Sequence, residues 1–434
     1  MKDHTLLCAN YHRPKLKILN ILSVALCSML FTLPSNAQEK TVADPLSALK
    51  CDAKFNESVL KAVDKHVRKS LYSKDLSINV WPKALEKQKT KILQSGNLLE
   101  LSEAINTAID ELKSSHCRFL TINDDTYYFL YSLFSGNAKS KARGECVFPG
   151  FVTGGAGFDS DRVRYVLDDS PAKKAHIQVG DKILSVNGYK YTGLANFFGL
   201  QRKPIKISLR RGEDAKDITV SADKKSMYET YVNAVTKSAL KFQVDGFNLG
   251  YVHLWCGGEL AQEAMAEALF SAPISGCDGL ILDLRDGYGA CSPDALDPFF
   301  RPPEAFPNFE TTNRDGKKRT STVIFDKPVV ALINGGSRSG KEALAFALKR
   351  TRRAYLVGER TAGYFLAGSI QPINEKCFLY LAILDCSLDG VRLESIGVEP
   401  DLIISNNKNS AEDRQLEGAK VELVKRIRDA KNGS

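Results

Sequence analysis

The chain has 434 residues, of which 43% are hydrophobic and 26% are charged, and its formal net charge is +9 at pH 7. This length allows two or three domains, and the ordinary apolar fraction predicts that they bury a real core. The basic residues lie in separate clusters, and no stripe combines basic with aromatic side chains. Nucleic-acid binding is therefore not expected.

The N-terminal segment has the three parts of a secretion signal. Basic residues up to Lys17 precede an apolar stretch over residues 18–33, and Ser35-Asn36-Ala37 places small residues where a signal peptidase needs them. This pattern predicts a signal peptide over residues 1–37 and a periplasmic or secreted protein. An uncleaved membrane anchor is the alternative, and it is disfavoured because the apolar run is short for a span.

Eight cysteines remain after residue 37. An even number in an exported chain predicts disulfide bonds. The spacing favours one pair, Cys377 with Cys386, at the two ends of an apolar run that could end in a turn. No pair has the CxxC spacing of a structural zinc site, and we predict no metal or other cofactor.

Residues 42–140 are predicted to form a helical N-terminal domain. Apolar residues recur at helical spacing in Val59–Val63 and again in Leu98–Leu112. The second of these helices is predicted to end near Ser114–Cys117.

Residues 146–223 contain short β-like runs broken by Gly, Asp and Asn, which indicates a β-rich domain. The stretch Asp169–Gly188 holds Ser-Pro-Ala, then Gly-Asp, and finally Val-Asn-Gly. It resembles the corresponding part of a PDZ domain, with His176 where such domains usually have glycine. The resemblance implies binding of an extended peptide by strand addition; the alternative is a domain that serves only as a spacer.

Residues 224–408 alternate between strand-like and helix-like segments, which predicts an α/β layer. Strands are expected at Leu249–Trp255, Gly279–Leu284, Pro328–Ile333 and Phe378–Leu384. The tail, residues 409–434, is predicted to form a charged amphipathic helix. The predicted fold class is therefore a multidomain α/β protein.

The most informative stretch is Val329–Glu342, where an apolar strand ends in a glycine turn that opens a helix. Two kinds of site use such a corner: a phosphate cradle and a serine nucleophile. A phosphate loop needs Ser or Thr directly after Lys341, to bind Mg²⁺, but Glu342 stands there and would repel phosphate. A nucleophilic Ser339 fits better, with the Gly340 N–H and a second donor from the glycine turn at Gly287–Ala290 forming the oxyanion hole.

Four segments of the chain resemble motifs of the C-terminal processing (tail-specific) serine peptidases. Gly279–Gly289 is similar to GLIxDLRxNxGG, Asn334–Glu342 to NxxSxSxxE, Gly358–Gly363 to GExTxG and Ile396–Asp401 to GVxPD. The resemblance implies an α/β core of the ClpP/crotonase type with an inserted PDZ domain.

In that alignment Ser339 is the nucleophile and Ser337 is a turn residue. The residues predicted for the oxyanion hole remain Gly340 and, from the second glycine turn, Gly289. Tail-specific peptidases activate the serine with a lysine just after GExTxG, but this chain has Tyr364 there. Lys341 is the alternative base, although residues two apart on a helix point to nearly opposite sides. We expect Lys341 to face solvent or a carboxylate.

A histidine is the other possible base, and four remain after residue 37: His66, His116, His176 and His253. Ser115-His116 resembles the pair that precedes the PDZ domain in the tricorn-core branch of the same clan. By that resemblance His116 is the general base, Ser115 relays to it, and Glu394 orients the relay. Glu399 is a weaker candidate for the last role. For His116 alone, a helix-terminal cap is the structural alternative.

We therefore interpret the sequence as an exported serine endopeptidase, whose PDZ domain captures a polypeptide end, such as its C-terminus, for attack by Ser339. One alternative is an inactive peptide-binding pseudo-peptidase, and another is a Ser–Lys peptidase that uses Lys341. A histidine base predicts that activity is lost below roughly pH 6–7.

Overall fold

The computed structural model describes residues 44–134, 142–300, 309–312, 314, 316–321, 324–407 and 412–432. The predicted signal peptide over residues 1–37 lies outside the described residues. No helix in the described part of the chain is both long and apolar enough to span a membrane.

The N-terminal part of the described chain packs helices around the buried Trp81. Its elements are α1 (Ala53–Ser70), α2 (Trp81–Gln94), α3 (Leu98–Asp110), β1 (Arg118–Thr121) and α4 (Asp125–Phe134). The Asp52 side chain accepts the Phe55 N–H at the start of α1, and Asn97 does the same for Leu99 and Glu100 at the start of α3. These caps satisfy N–H groups that have no acceptor within the helix, so both helices begin where the sequence supplies a capping side chain.

The strand β1 corrects the expectation that residues 42–140 are helical throughout. It pairs antiparallel with residues 377–380, with Arg118 opposite Tyr380 and Thr121 opposite Cys377. Phe119 and Leu120 are buried by this pairing. The paired strand lies more than 250 residues further along the chain, so the local pattern of apolar residues could not predict β1.

The next part is rich in β-structure, as predicted. Its elements are β2 (Glu145–Val147), β3 (Phe151–Gly155), β4 (Phe158–Val166), α5 (Pro171–Lys174), β5 (Lys182–Val186), β6 (Tyr189–Lys190), β7 (Ile205–Arg211), β8 (Asp214–Val220) and β9 (Lys224–Ser226). The antiparallel sheet has the order β3-β4-β5-β7-β8, so β3 lies at one edge. The short strands β2 and β9 pair with each other and bring the two ends of this region together.

The residues that resemble a PDZ domain hold the turns of this sheet. Ser170 caps α5 by accepting the Lys173 N–H at 3.1 Å. The buried Asp181 forms two 2.7 Å hydrogen bonds with Arg211. His176 has φ 59°, so it adopts the left-handed conformation that glycine would take most easily, and the turn is kept.

The remaining elements build the α/β core. They are α6 (Met227–Ser238), β10 (Leu240–Val244), β11 (Phe247–His253), α7 (Glu259–Phe270), β12 (Gly279–Asp283), β13 (Phe309–Thr312), β14 (Lys318–Ser321), β15 (Val329–Ile333), α8 (Gly340–Arg350), β16 (Ala354–Gly358), β17 (Leu366–Pro372), β18 (Cys377–Asp385), β19 (Leu402–Ile403) and α9 (Arg414–Asn432). The predicted strands, the helix after Ser339 and the C-terminal helix are confirmed.

The central sheet has the order β10-β11-β12-β15-β16-β19, with β10 antiparallel and the other strands parallel. Strands β12 and β15 are buried along their whole length because both faces of the sheet are covered. The helix α9 packs Leu423 and Ile427 against one face. On the other face, one continuous apolar core includes residues of the β-rich region. The fold is thus a mixed α/β assembly of several parts.

The expected disulfide between Cys377 and Cys386 does not form, and all eight cysteines of the described chain are free thiols. Cys377 begins β18, and Cys386 directly follows its last residue, Asp385. A strand advances about 3.3 Å per residue, so the two ends lie roughly 25–30 Å apart, far beyond the reach of a disulfide. The apolar run continues straight as one strand instead of turning back.

We predict that Asn106→Leu destabilises the fold by about 2–4 kcal/mol, because it leaves two buried backbone groups of β1 unpaired. The Asn106 side chain donates to the Phe119 carbonyl at 2.9 Å and accepts the Phe119 N–H at 2.8 Å. Urea unfolding of both proteins measures the loss. The neighbouring exposed Thr107→Ala is the control and should change stability by less than about 0.5 kcal/mol. Equal stability of Asn106→Leu and the wild type would contradict this role.

Candidate active site

Ser339 lies at a strained turn between β15 and α8. Its backbone has φ 57° and ψ −129°, a conformation that a residue with a side chain rarely adopts. The Ser339 N–H donates to the Tyr364 carbonyl at 2.9 Å and to Glu342 Oε2 at 3.0 Å. Because both acceptors hold the same N–H, the turn is fixed although its backbone is strained.

Ser337 differs from Ser339 in its surroundings. It is fully buried, and its hydroxyl donates to the Leu284 carbonyl at 2.9 Å. The same oxygen accepts the Asn334 N–H at 3.1 Å. The Ser337 hydroxyl is therefore engaged in the turn, as the sequence indicated, whereas Ser339 lines an open cleft.

Glu342 organises this turn, a role that the sequence analysis did not assign to it. The side chain is fully buried, and besides the Ser339 N–H it accepts the Thr361 hydroxyl at 2.6 Å, the Gly363 N–H at 2.7 Å and the Tyr364 N–H at 2.8 Å. Burial raises the pKa of the carboxyl group, while these donors oppose the rise by stabilising the charged form. A single carboxylate thus joins the start of α8 to residues 361–364.

The two glycines predicted for the oxyanion hole lie next to each other. A Cβ atom on Gly289 would lie 2.6 Å from Ser339 Cβ and 3.1 Å from the Gly340 nitrogen. Gly340 is the first residue of α8, so its N–H has no acceptor within the helix. The absence of a side chain at both positions leaves their backbones close to Ser339.

Lys341 does not face solvent, and it forms no ion pair with a carboxylate of the described residues, which corrects the sequence-based expectation. It is fully buried, and its Nζ donates to the Asp286 carbonyl at 2.7 Å. Burial lowers the pKa of this ammonium to about 8. The lysine therefore binds the backbone at the end of β12, and no hydrogen bond joins it to the Ser339 hydroxyl.

His116 is brought to the cleft by the pairing of β1 with β18. It lies two residues before β1, and its ring contacts that of Tyr380 at a centroid distance of 5.8 Å. Tyr380 is also the register partner of Arg118. His116 and Ser339 line one cleft of about 1460 Å³, but no hydrogen bond joins the two side chains.

A continuous hydrogen-bond relay runs from Glu394 through Ser115 to His116. The Ser115 hydroxyl donates to Glu394 Oε2 at 2.7 Å, and its oxygen lies 2.9 Å from His116 Nδ1. Glu394 also accepts the Ser115 N–H at 2.9 Å and the Phe365 N–H at 2.7 Å. The structure therefore brings together three residues that the sequence analysis selected.

This relay determines the tautomer of His116. A serine hydroxyl has one proton, and Ser115 uses it toward Glu394, so its oxygen accepts a proton from His116 Nδ1. The other ring nitrogen, Nε2, is then left as a proton acceptor. A neutral ring with a free Nε2 is the form that a general base requires.

The surroundings keep His116 neutral. Burial is the larger cause, and the positive charge of Arg338 is the second, and together they lower the pKa of the ring to about 4. The Arg338 guanidinium donates to the Gly287 carbonyl at 3.1 Å and lies 5.0 Å from the centre of the Tyr288 ring. Sequence reasoning overlooked Arg338, although its place directly before Ser339 was a signal.

The remaining candidate residues lie elsewhere. The Glu399 carboxylate is exposed and lies 3.8 Å from Arg360, away from the relay. His253 is buried on β11, where Nε2 contacts the Arg285 carbonyl at 2.8 Å and the ring stacks on Trp255. Tyr364 contributes its backbone to the turn while half of its side chain is exposed. Within the described residues, no group of three or more His, Cys, Asp or Glu side chains is placed to bind a metal ion.

The cleft combines a strained serine at the start of a helix with a carboxylate–serine–histidine relay. These are features of the active sites of serine hydrolases. Residues 248–404 match the family model described as peptidase family S41.

Two curated relatives are similar to this chain. A carboxy-terminal-processing protease of Bartonella bacilliformis is 29% identical over 258 residues, which cover 55% of this chain and 57% of the relative. A carboxyl-terminal-processing protease of Synechocystis is 27% identical over 253 residues, with the same two shares of 55% and 57%. The chain thus spans little more than half the length of these relatives.

The crystal structure of the tricorn protease has a similar fold. The match has a TM-score of 0.51 at 19% sequence identity and covers 86% of this chain and 37% of the tricorn chain. At this identity, the likeness concerns the fold alone.

We predict that NMR titration places the pKa of His116 near 4 and that its neutral form carries the proton on Nδ1. Long-range ¹H–¹⁵N spectra distinguish the two tautomers, and His116→Gln identifies the resonances. Ser115→Ala removes the acceptor of the Nδ1 proton and should increase the share of the Nε2–H tautomer. A neutral wild-type ring protonated mainly on Nε2 would contradict the relay.

Proposed function

We propose that this protein is an exported serine endopeptidase of the C-terminal processing type, with Ser339 as nucleophile and His116 as general base. The observation that carries the proposal is the relay from Glu394 through Ser115 to His116 on the cleft that Ser339 lines. The match of residues 248–404 to the model of peptidase family S41 supports the reaction class. The relay supplies a base where Tyr364 replaces the lysine expected of the tail-specific branch.

The reaction follows from the positions of the protons. His116 Nε2 takes the proton of the Ser339 hydroxyl as the oxygen attacks a peptide carbonyl, and the imidazolium then protonates the leaving amine. During this step Nδ1 remains bonded to Ser115, whose hydroxyl remains bonded to the Glu394 carboxylate. That carboxylate stabilises the positive charge that develops on the ring. Water then acts as the nucleophile in the same two proton-transfer steps and hydrolyses the acyl-enzyme.

The oxyanion of the tetrahedral intermediate is assigned to the backbone N–H groups of Gly340 and Gly289. Two features support this assignment: Gly340 begins α8, where the helix dipole favours negative charge, and Gly289 lies against Ser339. Lys341 has a supporting role, since its ammonium holds the Asp286 carbonyl just before the Gly287–Ala290 turn.

The β-rich region is proposed to be a PDZ domain that captures the polypeptide substrate by strand addition. Its edge strand β3 supports this role, because Val152, Thr153 and Gly154 line the same cleft as Ser339. Arg164 of β4 also forms a 2.7 Å ion pair with Asp286, beside the glycine turn. A peptide paired with β3 would therefore lie in the cleft that leads to the nucleophile.

Three further parts of the proposal concern the whole protein. The α/β core is assigned to the ClpP/crotonase type. The boundaries of the domains are those predicted from sequence. Residues 1–37 are proposed to direct export to the periplasm or the exterior. The substrate is proposed to be a polypeptide that binds by its C-terminus.

Single substitutions test the catalytic assignment. We expect Ser339→Ala and His116→Ala each to lower kcat/KM on unfolded casein by roughly 10³-fold or more, because either change removes proton transfer from the nucleophile. Lys341→Met keeps the length of the side chain and should cost much less. Mass spectrometry of the cleavage products measures the rates.

The same measurement separates the alternatives. A Ser–Lys peptidase would lose activity in Lys341→Met and keep it in His116→Ala. If Ser339→Ala and the wild type release products at the same rate, the protein is a pseudo-peptidase with a contaminating activity. Circular dichroism of each variant establishes that it is folded.

We expect kcat/KM to fall on the acid side near pH 4. Sequence alone predicted this fall at pH 6–7. The base works only when neutral, and the lowered pKa of His116 keeps it neutral down to about 4, so activity falls as the pH drops through that value. Arg338→Gln removes a positive charge and should move the limb to higher pH. Arg350→Gln, an arginine of the same cleft paired with Asp389, is the matched control. A wild-type limb near 6.5 would contradict this account.

A further inference from the structure

Arg338 is a cationic side chain of the catalytic cleft that has no carboxylate partner among the described residues. Its guanidinium contacts the Gly287 carbonyl and the face of the Tyr288 ring. A guanidinium group has five N–H donors, and the hydrogen bond to Gly287 uses only one of them. The residue is partly exposed and directly precedes Ser339 in the chain. A positive charge without a carboxylate partner among the described residues thus lines the same cleft as Ser339 and His116.

Other arginines on the same cleft are neutralised. Arg164 pairs with Asp286 at 2.7 Å, Arg350 with Asp389 at 2.6 Å and Arg118 with Asp110 at 3.5 Å. Lys113 also lines the cleft and has no ion-pair partner within the described part of the chain, but its side chain is exposed. Arg338 differs from these residues because it is partly enclosed and its charge is not compensated. A guanidinium group that is partly shielded from water and has no counter-charge favours an anionic ligand, because charge-assisted hydrogen bonds are strong there.

We propose that Arg338 binds a carboxylate of the substrate close to the scissile bond and so gives the site a preference for acidic substrates. The proposal rests on Ser339 being the nucleophile, because this defines where the scissile bond lies. The carboxylate is either an Asp or Glu side chain near the cleavage point or the free C-terminus of the substrate. The planar guanidinium can donate two parallel hydrogen bonds to a carboxylate, which an amide of the same shape cannot accept equally well.

The alternative is that Arg338 has only a structural role, and this alternative predicts a different result. The contacts with Gly287 and Tyr288 hold the turn that leads to Gly289. Loss of those contacts would lower the activity on every substrate alike. Selective loss on carboxylate substrates therefore distinguishes recognition from support of the turn.

The test uses two randomised dodecapeptide libraries, one with a free C-terminal carboxylate and one with a C-terminal amide. The wild type, Arg338→Gln and Arg338→Lys digest both libraries, and mass spectrometry identifies the cleavage sites. We expect the wild type to prefer a carboxylate about tenfold or more, and Arg338→Gln to reduce this ratio to about one. Arg338→Lys should restore part of the preference. Arg350→Gln, whose arginine already has a partner, should retain the wild-type ratio.

The pattern of cleavage identifies the source of the carboxylate. Enrichment of Asp or Glu at a fixed position in both libraries indicates a side chain. Faster cleavage of the free-acid library at a fixed distance from its end indicates the C-terminus. A uniform loss in Arg338→Gln on all peptides, or a wild type without preference for carboxylates, overturns the proposal.

A binding experiment that needs no catalysis tests the role of Arg338 independently of the proposed peptidase activity. Immobilised Ser339→Ala protein and the Ser339→Ala/Arg338→Gln double variant select peptides from the same libraries. Enrichment of carboxylate peptides on the first protein but not on the second supports the role of Arg338, even if the wild type cleaves nothing and the peptidase assignment fails. Identical selection by both proteins contradicts it.

Discussion

The buried carboxylate of Glu394 is the interaction on which the geometry of the site depends. Its three hydrogen bonds join Ser115 to Phe365, and the Ser115 and Glu394 side chains are separated by 279 residues in the chain. A buried charge is costly unless donors surround it, so this arrangement holds only while all three segments are in place. The β1–β18 pairing brings Ser115 near, and the carboxylate then fixes the orientation of His116 through one hydroxyl group.

A second buried carboxylate, Glu342, holds the turn at Ser339, the proposed nucleophile, by accepting its N–H. Gly363 and Tyr364 donate their N–H groups to Glu342, and the next residue, Phe365, donates its N–H to Glu394. Three consecutive backbone groups thus connect the serine turn with the base relay. This segment holds the position where tail-specific relatives are expected to have lysine. Here Tyr364 contributes its backbone N–H to Glu342, and the proposed proton acceptor, His116, comes from the N-terminal part of the chain.

Sequence reasoning went furthest where a motif carries local geometry. The strand, glycine turn and helix around Ser339 were predictable because turn chemistry and apolar periodicity are local properties. The resemblance selected Ser115, His116 and Glu394, and in the structure Ser115 forms hydrogen bonds with both of the other two. Their roles in the reaction remain a proposal. What the sequence could not give depends on distant contacts: the strand β1, the burial of Lys341 and the straight course of β18 that separates Cys377 from Cys386.

The central claim is that His116 makes Ser339 nucleophilic, and covalent labelling tests it without a known substrate. The measurement is the rate at which a fluorophosphonate modifies Ser339 at neutral pH, located by peptide mass spectrometry in the wild type, His116→Gln and Lys341→Met. The account predicts an adduct on Ser339 in the wild type and in Lys341→Met, and a rate at least about 100-fold lower in His116→Gln. Equal labelling of His116→Gln and the wild type would contradict it.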